Sequence, residues 1–202
     1  MMKKNARYIF LFPVVVIILV IAAVFLQSWL NRPLPVSLNA PEAQPIKDIL
    51  ARSQEIENTL FCEPTSDINM LADVYVDTSG YKPSKDGKAL ITKYLGEDSV
   101  KNAGYLTYIK AYHLWRRSGD PYPRSSPEIT QNSSTQIAPT EKPVMYCPDP
   151  MPETELSFRS IAIRENKALV HFDTPTYLKE AILIKVGGVW YIASMRNLQV
   201  HV

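Results

Sequence analysis

Tyr177-Leu178-Lys179-Glu180-Ala181-Ile182-Leu183-Ile184-Lys185-Val186-Gly187-Gly188-Val189-Trp190-Tyr191-Ile192 decides the fold. Two apolar runs meet at a glycine pair, and both glycines can take the positive φ that a type I′ hairpin turn requires. The flanking Ile182, Ile184, Val186, Val189 and Tyr191 repeat with the period of a strand, so the segment reads as an antiparallel hairpin. Upstream, residues 156–164 and 167–172 read as two further strands joined by Glu165-Asn166. Thr174-Pro175 breaks the chain between the two hairpins. The last fifty residues therefore predict a four-stranded antiparallel meander, with strands at 156–164, 167–172, 177–186 and 189–196.

The residues before this sheet carry helical periods. Ile46, Ile49, Leu50, Ser53, Ile56 and Leu60 recur at three- and four-residue steps, and Glu63-Pro64 ends the pattern. Thr65, Ser66 or Asp67 can cap a short helix carrying Ile68, Leu71 and Tyr75. Ser84 can cap a helix through Leu90, Ile91 and Leu95 that stops at Gly96. From 104 to 117, Tyr105, Tyr108, Ile109, Tyr112 and Trp115 share one face at helical spacing, which is the usual signature of core packing.

Outside these elements the composition is uneven. The 202 residues hold 22 Lys plus Arg against 20 Asp plus Glu, for a net charge of +2. No charged residue occurs from 8 to 31, and 20 of the 23 residues from 8 to 30 are apolar. Such a run has the length of a membrane-spanning helix, with Lys3, Lys4 and Arg7 before it placing the N-terminus in the cytoplasm. It exceeds the apolar core of a cleaved signal peptide. The organisation expected is a cytoplasmic tail over 1–7, a single-pass transmembrane signal-anchor over 8–30 in contact with the lipid bilayer, an extended stalk over 31–45, and an extracytoplasmic domain over 46–202. Residues 119–153 hold 8 of the 16 prolines and read as an insertion before the sheet. The fold class expected is α+β: one transmembrane helix, then helices packed on a curved antiparallel sheet of about four strands.

Helices followed by a sheet that ends in Val186-Gly187-Gly188-Val189-Trp190-Tyr191-Ile192, with Lys167-Ala168-Leu169-Val170-His171-Phe172 before it, resembles the nuclear-transport-factor-2-like superfamily of α+β cones. The resemblance implies a helix-on-sheet cone. That family holds isomerases and dehydratases with apolar pockets, and pocketless modules that mediate assembly, so it does not decide function. The expected layout, a short tail, one span and one exterior domain, is similar to that of a scaffold subunit of type IV secretion and conjugation machines.

Few residues suggest chemistry. Cys62 and Cys147 are the only cysteines, and in an exterior compartment such a pair suggests a disulfide. It would close an 86-residue loop, worth about 4–5 kcal/mol by loop entropy. No four-ligand metal spacing occurs, no phosphate-binding glycine loop is present, and near-neutral charge gives nucleic acid no purchase. The three histidines, His113, His171 and His201, form no catalytic grouping along the sequence. An isomerase-like site needs a carboxylate base and a hydrogen-bond donor in an apolar pocket. The residues that could line such a pocket are Asp73, Asp77, Tyr108, Tyr112 and His171. No cofactor, metal ligand or catalytic residue is assigned. The function expected is a non-enzymatic, membrane-anchored, extracytoplasmic binding or assembly module, acting on a protein partner or as a homo-oligomer. The alternative is a small-molecule-binding or isomerase-like pocket protein.

Overall fold

A computed structural model describes residues 14, 16–24, 27, 32–63, 65–121 and 156–200. The chain divides into two compact units, Met1–Leu34 and Pro35–Val202.

The first unit corrects the expectation of a transmembrane helix. Among its described residues 14, 16–24 and 27 are helical, and among the described residues no helix is long and apolar enough to cross a membrane. An uncharged apolar stretch specifies a nonpolar environment and leaves helix length open. This one is dominated by Val14, Val16, Ile17, Ile18, Val20 and Ile21, whose β-branched side chains lower helix propensity. The single-pass, signal-anchor and membrane assignments rested on that helix and are not carried forward. Residues 1–7 lie outside the described residues.

The second unit is α+β. Its helices are α1 (Gln44–Cys62), α2 (Lys85–Leu95) and α3 (Tyr105–Ser118), with 3-10 turns at Pro41–Ala43, Ile68–Asp73 and Glu97–Val100. The sheet has five strands in sequence order: β1 (Leu34–Val36), β2 (Ser157–Arg164), β3 (Lys167–Asp173), β4 (Tyr177–Val186) and β5 (Val189–Val200). Neighbours from β2 to β5 are antiparallel. The fifth strand, absent from the sequence expectation, comes from the segment read as a stalk. Leu34-Pro35-Val36 joins at the edge, where a proline's missing N–H is tolerated. Val36 and Leu38 then pack on the core.

Sequence signals account for the helix ends. Ser84 Oγ accepts the Gly87 N–H at 3.1 Å, and Asp67 accepts the Asn69 N–H at 2.9 Å. Helix α2 stops at Gly96 and α3 at Gly119, where φ is +88° and +70°. Ile46, Leu50, Ser53, Ile56 and Leu60 form the buried stripe of α1. They meet Ala168, Val170 and Phe172 of β3, Ala181 and Leu183 of β4, and Trp190 and Ile192 of β5. A second cluster, Leu90, Ile91 and Ala111, joins α2 to α3.

Of the expected Cys62–Cys147 cross-link, Cys147 lies outside the described residues. Cys62 ends α1 and is disulfide-bonded, not a free thiol. Residues 122–155, which include most of the proline-rich insertion, are likewise outside the described residues.

One contact ties the helical half together. The carboxylate of Asp77 accepts the Thr107 N–H at 2.9 Å and the Thr107 hydroxyl, so it caps α3 from 30 residues upstream. Gly104 makes room for it: a Cβ there would lie 2.5 Å from the Asp77 Cα. Gly104→Ala should lower unfolding free energy by about 1–3 kcal/mol through overpacking, and Asp77→Ala by about 1–2 kcal/mol through loss of the cap. Because the first change already displaces the carboxylate, the double variant should lose clearly less than the two together in urea denaturation. Full additivity would rule out the coupling.

Candidate functional site

The five residues expected to line a pocket are not gathered into one. Asp73 is exposed at the end of the Ile68–Asp73 turn. Asp77 is committed to the α3 N-terminus. Tyr108 and Tyr112 continue a ladder of rings with Tyr81, Tyr105 and Trp115, at centroid spacings from 5.1 to 6.4 Å. A depression of about 380 Å³ beside Asp77 is lined by Thr78, Ser79, Tyr81, Lys82, Lys101, Asn102 and Ala103, and by none of the other four candidates. His171 belongs to the opposite face of the sheet. Its neighbours Val170 and Phe172 point to the helices, so its own side chain points away.

On that outer face His171 is the centre of a polar row that crosses four strands. Ser160 on β2 stands opposite His171, and His171 stands opposite Glu180 on β4. Glu180 in turn stands opposite Arg196 on β5. Ser160 Oγ lies 3.0 Å from His171 Nδ1, and His171 Nε2 lies 3.1 Å from Glu180 Oε2. Arg196 Nε donates to Glu180 Oε1 at 2.7 Å. Burial opposes ionisation of Glu180, but the Arg196 and His171 hydrogen bonds outweigh it and hold the carboxyl below its ordinary range. An ionised carboxylate only accepts, so His171 Nε2 donates to Glu180, and in the neutral ring Nδ1 is then left to accept from the Ser160 hydroxyl.

The row has the order hydroxyl, imidazole, carboxylate, which polarises a serine hydroxyl. It lies on an open sheet surface, and neither the depression beside Asp77 nor a second one lined by Pro45, Ile49 and Trp190 includes any of its members. A second bridge, Arg159 Nε to Asp173 Oδ2 at 2.6 Å, lies beside it. Beside the row on the same face, Ala162, Leu169 and Ile182 stand opposite one another across β2, β3 and β4, and Ile184 stands opposite Tyr191. The exposed large apolar side chains of the sheet are Leu34 on β1 and Ile182, Val186, Val189, Leu198 and Val200 on β4 and β5.

Sequence reasoning picked out His171 but missed Ser160, Glu180 and Arg196. The signal for Ser160 was present: counting outwards from the Glu165-Asn166 turn puts residue 160 opposite residue 171. Arg196 could not be reached by counting, because the extra residue Ala193 shifts the β4–β5 register. Among the described residues no group of three His, Cys, Asp or Glu could hold a metal ion.

No known protein family matches this chain, and no curated protein or solved structure is detectably similar to it. Function therefore rests on the geometry of this molecule alone.

The other described histidine behaves differently. His113 on α3 is 5% exposed, and burial, with Arg116 and Arg117 nearby, lowers its pKa from 6.5 to about 4. The unfolded chain binds a proton there below pH 6.5 while the folded chain does not, so stability should fall by about 3 kcal/mol from pH 6.5 to pH 4. Below the ordinary carboxylate range Glu180 adds a separate loss, since its folded pKa is also depressed. In urea melts at fixed pH, His113→Leu should flatten the slope between pH 6.5 and 4 and leave the loss at lower pH. An unchanged slope would show that another group carries it.

Proposed function

We propose that this protein is a non-enzymatic binding or assembly module that engages a protein partner through the outer face of the β4–β5 hairpin. One observation carries the reading: Ile182, Val186 and Val189 are exposed together on the outer face of that hairpin. Scattered exposed apolar side chains are ordinary, whereas a contiguous set on one face marks an interaction surface. The interior supports the same reading. Leu71, Tyr75, Val170, Leu183 and Ile192 fill the space between helices and sheet, each 1% exposed or less. Space there is what an isomerase-like pocket would need. The order of helices then sheet, closed by Gly187-Gly188, supports keeping the resemblance to the pocketless members of the nuclear-transport-factor-2-like superfamily within this proposal.

The test is site-specific photocrosslinking of the full chain in the cells that make it. A photoreactive residue at Ile182 or Val189 should give a covalent adduct of higher mass, and one at exposed Asp98 on the helical side should not. Equal adducts from all three positions, or none from the hairpin, would reject the reading. So would a reproducible thermal shift of the chain by one class of hydrophobic metabolite, which is the outcome a pocket protein requires.

A further inference from the structure

We infer that the partner segment seated on the outer face of the sheet is acidic and amphipathic. This deepens the assembly reading and rests on it. The face is divided in two. Its β4–β5 half is apolar, with Ile182, Val186 and Val189 exposed. Its β2–β3 half is basic at the end next to that apolar patch: Arg164 and Lys167 stand directly opposite each other, and Ile184 follows on the next strand.

The heights of the charges sharpen the asymmetry. The two acids of the face are sunk, with side chains 12% exposed for Glu180 and 20% for Asp173. The arginines that hold them stand out into solvent, 70% exposed for Arg196 and 54% for Arg159. An approaching molecule therefore meets guanidinium groups first, while the carboxylates beneath are already neutralised. Among the described residues of β2, β3 and the turn between them, Glu165 adds an exposed acid near the basic end. A partner with apolar residues along one side and carboxylates along the other matches both halves at once. The fixed donors and acceptors of the Ser160–Arg196 row favour a segment of polypeptide, with its own directional groups, over a fluid anionic surface.

The experiment uses the full chain and two labelled 18-residue peptides, one patterned with Leu and Glu and the other with Leu and Lys, read by fluorescence anisotropy. The Glu peptide should bind about tenfold or more tightly than the Lys peptide, and salt should weaken it. Ile182→Asp should cut binding by about tenfold, and the pair Arg164→Glu with Lys167→Glu should reverse the peptide order. Lys167→Glu alone, at an exposed position, serves if the other variants fail to keep the wild-type circular dichroism melt. Equal affinities, a Lys preference, or Glu-peptide binding indifferent to all variants would overturn the inference. So would binding to anionic vesicles in place of the peptide, or sedimentation as a dimer that hides the face. Hairpin crosslinks without any preference for the acidic peptide would overturn this inference and leave the assembly reading standing.

Discussion

Positive φ at two consecutive residues, +58° at Gly187 and +88° at Gly188, sets the register of β4 against β5. A side chain at either position would strain that turn. Register then decides the faces, because a slip of one residue exchanges the two sides of a strand. With Val186 opposite Val189, Leu183 and Ile192 meet on the core side, and Ile184 and Tyr191 meet on the outer side. The core and the apolar outer patch therefore share one origin. Shifting the turn would drive Glu180 and Arg196 towards the helices, where an ion pair would have to be desolvated against Leu50 and Ile56.

How much of this was legible in the sequence depends on how far each feature acts along the chain. The hairpins, the Ser84 cap and the stop at Gly96 rest on neighbours within a few residues, and the chain wrote them plainly. Asp77 reads locally as a turn residue, yet its carboxylate caps α3 because the fold brings Thr107 to it. No periodicity reports a contact across 30 residues. Leu34-Pro35-Val36 was missed for a related reason: a three-residue edge strand has too few alternations to register as a pattern. The apolar composition over 8–30 is unambiguous, but among the described residues it yields no helix long and apolar enough to cross a membrane.

Bulges set the limit on the sheet. Counting from a tight turn is exact until an extra residue enters, and β5 has two such interruptions, at Ala193 and Leu198. The first brings Arg196 opposite Glu180, a position that Met195 would otherwise hold. Nothing in Ile192-Ala193-Ser194 announces it. The physical setting does supply a cause, since Ile192 is also bonded on its free edge. Its N–H donates to the Val74 carbonyl at 2.8 Å, and its carbonyl accepts the Val76 N–H at 3.1 Å. Pairing on both edges pins the strand at Ile192, and the next residue takes up the mismatch in twist.

That mismatch determines what kind of surface the sheet offers. A fully apolar outer face would be the stronger hydrophobic patch, and it would accept a partner in any orientation and risk indiscriminate association. The bulge instead adds Arg196 to the row of Ser160, His171 and Glu180, each held by its neighbour at 2.7 to 3.1 Å. A partner that covers the row without meeting its outward donors leaves the Arg196 guanidinium desolvated, a penalty of 1 kcal/mol or more, on the order of tenfold in affinity. A partner that supplies a carboxylate there avoids that penalty. On the proposed assembly reading, the polar row weakens the patch as glue and strengthens it as a filter, and the filtering group is placed by one unpaired residue in β5.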